Sequence, residues 1–287
     1  MSKMKFSRNV DLIAQQNGVL VFSDQALFQI IVEEIETLYN KYEDEVVKEL
    51  EKKFNYTSLK SEIDLLQEEW LNTENADFKE DPDDKWFDGI GLRTLLNNQG
   101  VIKIGESVFV TLEIEKLQVV EITNGDFKLI KDVFNGNYKS KNIVVHTLEN
   151  STASRKADDC RQIQVTSGYK NYKNNTRRLK GKVWVYHIPF YSEWGCKSKN
   201  FEIKKNGHLK KKKANHIEVL SGGNLYGRQC VLVYSSASMG NSKNNKQKVS
   251  DKMHFWGATV ITKPNEIASE HYVVDSGANC TLILTLH

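Results

Sequence analysis

Near residue 95 the apolar residues of this chain change their spacing, and that change constrains the fold more than any other feature. Before it, Leu27, Ile31, Ile35, Leu38, Tyr42, Val46 and Leu50 recur at three- and four-residue steps, with Glu33, Glu36, Glu43, Glu45 and Glu49 on the remaining surface. This is the period of an amphipathic helix. After it, runs such as VIKIGESVFV and KVWVYHIPF alternate or stay apolar over short stretches, which is the pattern of strands. The expected class is α+β: a helical N-terminal region followed by a mostly antiparallel β C-terminal domain, a sandwich or a curled sheet.

The local signals fill in this outline. GVLVF (Gly18 to Phe22) reads as a short strand, Ser23 or Asp24 caps the helix after it, and one long helix is expected to about Phe54. Ser58 opens a second helix, LKSEIDLLQEEWL, with Ile63, Leu66 and Trp70 as its stripe. NTENADFKEDPDDKW has no apolar face and is broken by Pro82, so it reads as a solvated loop. Its DPDD lacks the ligand order and glycine of an EF-hand, and no metal site is expected there. LRTLLN is a short helix, Gly105-Glu106-Ser107 turns a hairpin, and Asn124-Gly125 stands between two strand-like runs. HIEVL, QCVLVYSS, FWGATVIT, HYVV and NCTLILTL read as further strands, whereas Ser235 to Ser250 reads as a long exposed loop.

Charge divides the chain more sharply than its total of +3 suggests. Residues 1–90, an acidic helical region, hold 10 Lys and Arg against 21 Asp and Glu, net −11. Residues 91–150, a hairpin-rich connecting region, balance at 7 against 7, and the basic β-rich domain 151–287 holds 23 against 9, net +14. This polarity suits head-to-tail self-association, docking of acidic on basic segments within one chain, or a basic face for an acidic partner. KNGHLKKKK (205–213) fits two strands joined by a type I′ turn at Asn206-Gly207, with lysines guarding exposed edges. Lys204, Lys205, Lys210, Lys211, Lys212 and Lys213, with Arg177, Arg178, Lys180 and Lys182 upstream, form a candidate patch for an anionic partner. Tyr169, Tyr172, Trp184, Tyr186, Tyr191 and Trp194 interleave nearby, as in a base-stacking platform or the inner face of a sheet. Without a nucleic-acid motif, protein partners or self-assembly are expected ahead of nucleic acid.

Catalytic signatures are sparse. Cys160, Cys196, Cys230 and Cys280 are 34 to 50 residues apart with no CxxC pair, and read as reduced thiols within strands. GESVF lacks the second glycine of a nucleophile elbow, and P-loop, Rossmann and HExxH patterns are absent from the sequence. Cys280 with His254 or His271 would make a Cys-His hydrolase, but the apolar run after Cys280 places it at the start of a strand. His146, His187, His208, His216, His254, His271 and His287 are scattered singly. No catalytic residue, cofactor or metal is expected. At 39% hydrophobic and 27% charged residues the chain has a globular composition, with no run long enough for a transmembrane segment and no apolar core of a signal peptide.

NGVLVFSDQALFQIIVEEI and LRTLLNNQGVIKIGESVFV, with the later RRLKGKVWVYHIPFYSEWGCKSKNF, resemble an uncharacterised family of Bacteroidetes lipoproteins and secreted proteins over about two thirds of the chain. The resemblance supplies no catalytic residues. This chain departs from the pattern in showing neither a signal peptide nor a lipobox cysteine near its start, which points to a cytoplasmic or virion location. The expected function is a non-enzymatic structural or protein-binding role, in a phage or phage-like particle of such a bacterium. A cell-envelope protein, a nucleic-acid-binding protein using the basic half and a Cys-His hydrolase are the alternatives.

Overall fold

The structure is a computed structural model that describes residues 4–73, 81–112, 118–147, 163–227, 231–256, 261–263 and 265–286. The chain divides into two compact units: Met1–Glu68 with Lys85–Thr147, and Glu69–Asp84 with Leu148–His287.

In the first unit the strand predicted at GVLVF forms, as β2 (Val19–Phe22), beside β1 (Ala14–Gln16). Four helices follow: α1 (Gln25–Tyr42), α2 (Asp44–Phe54), α3 (Leu59–Leu71) and α4 (Ile90–Leu95). Then come β3 (Val101–Ile104), β4 (Ser107–Thr111), β5 (Gln118–Ile122), α5 (Leu129–Phe134) and β6 (Ile143–Thr147). The sheet runs in the order β1-β2-β3-β4-β5-β6. Only β2 and β3 among these neighbours are parallel, and the helices between them supply the long crossover that parallel strands require. Asp24 caps α1 by accepting a hydrogen bond from the Leu27 amide at 2.9 Å.

Three expectations fail in instructive ways. The long helix is two helices, broken at Glu43, whose φ of 51° no helix accommodates. The apolar stripe continues on both sides of the break, so periodicity does not reveal it. What does stabilise the restart is Asp44, which opens α2 and accepts a hydrogen bond from the Tyr39 hydroxyl at 2.8 Å. Asn124-Gly125 turns the chain from β5 into a loop and α5, not into a second strand. Most broadly, the α+β class with a helical N-terminal region gives way to a β-dominated fold, 48% strand and 25% helix among the described residues. The N-terminal unit itself carries a six-stranded sheet, because an amphipathic stripe needs an apolar layer to bury against and the short strands VLVF, VIKI and SVFVT form it.

The second unit holds β7 (Ile163–Tyr172), β8 (Arg177–Ile188), β9 (Tyr191–Ile203), β10 (Leu209–Lys211) and β11 (Ala214–Tyr226). β12 (Leu232–Lys246), β13 (Lys248–His254), β14 (Ile267–Asp275) and β15 (Ala278–Thr285) complete it. The expected loop 235–250 is therefore mostly β12 and β13; its Ser, Asn and Lys side chains are polar because β12 is an outer strand, not because it lacks structure. One sheet runs β10-β9-β8-β7 with β13 also paired to β9, and the other runs β12-β11-β14-β15. Leu179, Val183, Val185, Trp194 and Cys196 of the first meet Ile217, Val219, Ile267, Val273 and Leu284 of the second in one apolar core. Among the described residues no helix is long and apolar enough to cross a membrane.

Two glycines, one on β9 and one on β8, make room for large side chains. Gly195 lies opposite Trp184, and a Cβ there would stand 2.2 Å from the indole. Its absence lets Trp184 lie over β9, stacked with Tyr186 at 6.2 Å and donating through Nε1 to the buried Glu193 carboxylate at 2.7 Å. Gly181 leaves room on the core face for His271, 2.5 Å from where a Cβ would be. Gly195→Ala is expected to lower the unfolding free energy by about 1–3 kcal/mol through overpacking. Gly222→Ala, where the nearest atom is 3.4 Å away, should cost less; urea denaturation of the pair checks the order.

Candidate functional site

Side chains two apart on a strand share a face, so Lys180 and Lys182 on β8 point one way, as do Lys197 and Lys199 on β9. The register of the β8–β9 hairpin places Lys180 opposite Lys199 and Lys182 opposite Lys197. Two cross-strand lysine pairs thus sit side by side, a square of ammonium groups on the face turned away from the apolar core. Like charges directly opposite one another destabilise a sheet, and these four are buried or nearly so.

The counter-charge is Asp81-Pro82-Asp83-Asp84, which belongs to the same compact unit. Lys180 Nζ lies 2.5 Å from Asp81 Oδ2 and 2.6 Å from Asp84 Oδ2. Asp83 Oδ2 accepts from Lys197 at 2.6 Å and from Lys199 at 2.5 Å. Lys182, 1% exposed, donates to the Asp83 carbonyl at 3.3 Å and stands 3.9 Å from Asp84 Oδ1. Pro82 fixes the entry to a 3₁₀ turn, Pro82–Asp84, and the Asp83 amide donates back to Asp81 Oδ1 at 2.9 Å. Trp70 and Leu71, in the last turn of α3, pack with Phe201 and Leu209, and Lys180 Nζ lies 5.9 Å from the Trp70 ring.

These contacts keep the cluster ionised. Burial alone would push the Asp81 carboxyl up, but the Lys199 and Lys180 ammonium groups outweigh it and hold its pKa at about 2. Burial likewise opposes a charged Lys199, yet Asp83 and Asp81 raise its pKa above the ordinary lysine value. The three carboxylates offer oxygens within 4.8 Å of one another, a spacing suited to a divalent cation. Those carboxylates are already engaged by ammonium groups, so a metal would have to displace lysine.

The expectation of a solvated DPDD is corrected here: Asp81 and Asp83 are buried, because partners for them lie about a hundred positions away in the chain. Residues 74–80 of that predicted loop lie outside the described residues. The predicted basic patch is spread over different environments. Lys180 and Lys182 are in the square. Arg177 donates to Asp275 Oδ2 at 2.8 Å, and Arg178 donates to Asn171 at 2.9 Å with its guanidinium 4.1 Å from the Tyr169 ring centre. Lys204, Lys205, Lys210 and Lys213 are exposed and Lys211 and Lys212 partly so. The lysine-rich hairpin forms, but its turn spans residues 204–208 with only Gly207 at positive φ, not a two-residue type I′ turn. The register that results buries Leu209 against Phe201, which a tighter turn at Asn206-Gly207 would not allow.

Sequence alone does not mark Lys197, Lys199 and the three aspartates as a site. A signal existed: K-G-K at 180–182 and K-S-K at 197–199 flank a turn at Pro189-Phe190, and that turn alone sets their register. The thiols and histidines take structural places. Cys280 is buried on β15 opposite Val273, and burial pushes its pKa up; burial, reinforced by Asp251, pushes Cys196 up to about 12. Cys160 and Cys230 lie outside the described residues. His271 is wholly buried between Ser198 and Ser269, at 2.9 and 2.8 Å from its two ring nitrogens, and burial lowers its pKa to about 4. His254 lies 3.6 Å from Glu193.

No family model matches the chain, and no curated protein does. Among solved structures, a DUF4848 family protein from Bacteroides thetaiotaomicron VPI-5482 is similar over 96% of this chain and 100% of that one, at 10% identity and a TM-score of 0.26. At that identity and TM-score the likeness carries no argument about family or function.

Replacing Asp83 by Asn leaves Lys197 and Lys199 without their carboxylate and is expected to cost about 3–5 kcal/mol, part of which Lys199→Met in the same chain restores. The Asp81 pKa is depressed from 3.8 to about 2, so its contribution is complete above pH 4 and lost as pH falls through 2. Acid titration should therefore show a loss of stability over that window about 2 kcal/mol larger in the wild type than in Asp81→Asn, the remainder coming from other depressed carboxylates such as Asp275.

Proposed function

We propose that this chain is a non-enzymatic binding protein that works through the surface of its second unit, by accepting an extended segment of a partner protein along β12. The observation that carries this reading is the run Val231, Leu232, Val233 and Tyr234, exposed at 60, 50, 52 and 47%. Successive strand residues point to opposite faces, so four consecutive exposed apolar side chains mean that both faces are open at this end of the strand. β12 is also the last strand of its sheet, and among the described residues it pairs only with β11. Such edges are normally blunted by charge or proline, yet residues 231–242 contain neither.

The chemistry of the edge specifies its occupant. The apolar end is followed along the same strand by Lys243 and Lys246, and then by Lys248 at the start of β13. The complement is an extended segment that is apolar at one end and acidic at the other, recognised by main-chain hydrogen bonds along the edge. The unactivated thiols of Cys196 and Cys280 and the serine-bound His271 support a binding role over a hydrolytic one. The resemblance in the sequence suggests the setting, a phage-like particle or the cell envelope.

Fluorescence anisotropy with short labelled β-forming peptides tests this. A peptide with an apolar half and an acidic half is expected to bind the full chain, and its counterpart with a basic half to bind more weakly. Leu232→Lys with Val233→Lys should abolish the preference while leaving stability within about 1 kcal/mol, since both residues are exposed. Equal binding of the two peptides, or binding that survives the lysines, would remove the reading.

A further inference from the structure

The lysine square is built like a receptor for an acidic peptide, and the chain carries its own ligand. We propose that Asp81-Pro82-Asp83-Asp84 of one copy can occupy the square of a second copy, so that the site joins molecules as well as closing on itself.

Three observations carry this. First, the square cannot stand empty at low energetic cost. Four lysines of two adjacent strands face the same way, and Asp81, Asp83 and Asp84 supply the carboxylates that receive them. Any replacement occupant must offer carboxylates at similar spacing, and a second copy offers the same ones. Secondly, the donor segment is an excursion. Glu69–Asp84 belongs to the second compact unit, while the chain on both sides of it, Met1–Glu68 and Lys85–Thr147, belongs to the first. Exchange of residues 81–84 between copies would reproduce the ion pairs of the square with no new interface chemistry, which is the low-cost route to domain-swapped assemblies. Thirdly, residues 1–90, which include the donor segment, carry −11 and residues 151–287, which include the square, carry +14, so these segments attract one another between molecules as well as within one.

The loop and the square are tethered, so the same molecule's loop competes at a high effective concentration and closed monomers dominate in dilute solution. Exchange becomes visible when the tethered loop is disabled. A receptor chain, Asp81→Asn, Asp83→Asn and Asp84→Asn, keeps the square. A donor chain, Lys180→Gln, Lys182→Gln, Lys197→Gln and Lys199→Gln, keeps the loop. Both carry Leu232→Lys and Val233→Lys, so that pairing along β12 cannot account for any association and the two proposals fail separately.

Analytical ultracentrifugation is expected to show each chain alone as a monomer and the mixture as a heterodimer. The heterodimer should weaken at least tenfold as salt shortens the Debye length from about 10 Å at 0.1 M to about 3 Å at 1 M. Monomers in the mixture, with both chains folded by circular dichroism, overturn the proposal. If either variant does not fold, wild-type protein answers the question. Isotopically light and heavy copies are mixed, unfolded, refolded together at high concentration and treated with a carbodiimide. Links between Asp81, Asp83 or Asp84 of one isotope and the square lysines of the other support exchange; links within one isotope only, or none, overturn it.

Discussion

Four lysines on adjacent strands cannot face the same side of a sheet unless something anionic faces them. Lys180, Lys182, Lys197 and Lys199 do so because the Pro189-Phe190 turn pairs Ile188 with Tyr191 and every later pair follows from that one. The consequence travels along the chain. Asp81, Asp83 and Asp84 must reach the sheet, and Trp70 and Leu71 are drawn against Phe201 and Leu209. Nothing in composition announces this. An isolated ion pair buried in a protein often fails to repay its desolvation, but removing one side of an existing cluster leaves the other buried and uncompensated. Loop and square are therefore each the condition for the other.

The parts of the fold legible from sequence were those governed by local chemistry. β2, the Asp24 cap, α3 and the hairpin β3–β4 follow from apolar spacing, an N-cap acceptor and a Gly-containing turn. What escaped depends on partners distant in the chain. Glu43 breaks a helix whose apolar stripe runs on unbroken, and β12 hides as a polar loop because an outermost strand need not bury both of its faces. The candidate site failed for the same reason. By sequence Lys180 and Lys182 belong to an outward patch for an anionic partner, whereas their partners stand about a hundred residues earlier in the same chain. The K-x-K pairs were visible, but their meaning appears only when two strands are laid side by side.

β12 poses the opposite case. Its inward residues Ala237 and Met239 pack on the core, yet at its beginning Val231 to Tyr234 are exposed on both faces. Burial of such residues stabilises by roughly 25 cal/mol per Å² of apolar area, and in the isolated chain that stabilisation is unrealised. Tyr234 pairs with Leu225 of β11 and meets Phe255 in a tilted ring contact, centres 5.8 Å apart. An edge left apolar in this way favours association, and the lysines that follow it narrow the choice of associate.

The ionic cluster also bears on which structure the sheet adopts. A one-residue slip of β9 against β8 would turn Lys197 and Lys199 toward the core lined by Val183, Val185 and Ile217, and turn Cys196 and Trp194 to the other face. Alternative registers then bury unpaired ammonium groups among aliphatic side chains, at a cost of several kcal/mol each. Gly195 opposes the same slip, because Trp184 fits over β9 only where a residue without a side chain lies opposite it. The carboxylates of Asp81, Asp83 and Asp84 lower the energy of the native register relative to its one-residue neighbours, since in those Lys197 and Lys199 leave the outer face. Their contribution to net stability is limited by desolvation, but their contribution to the gap between the native pairing and its neighbours is not.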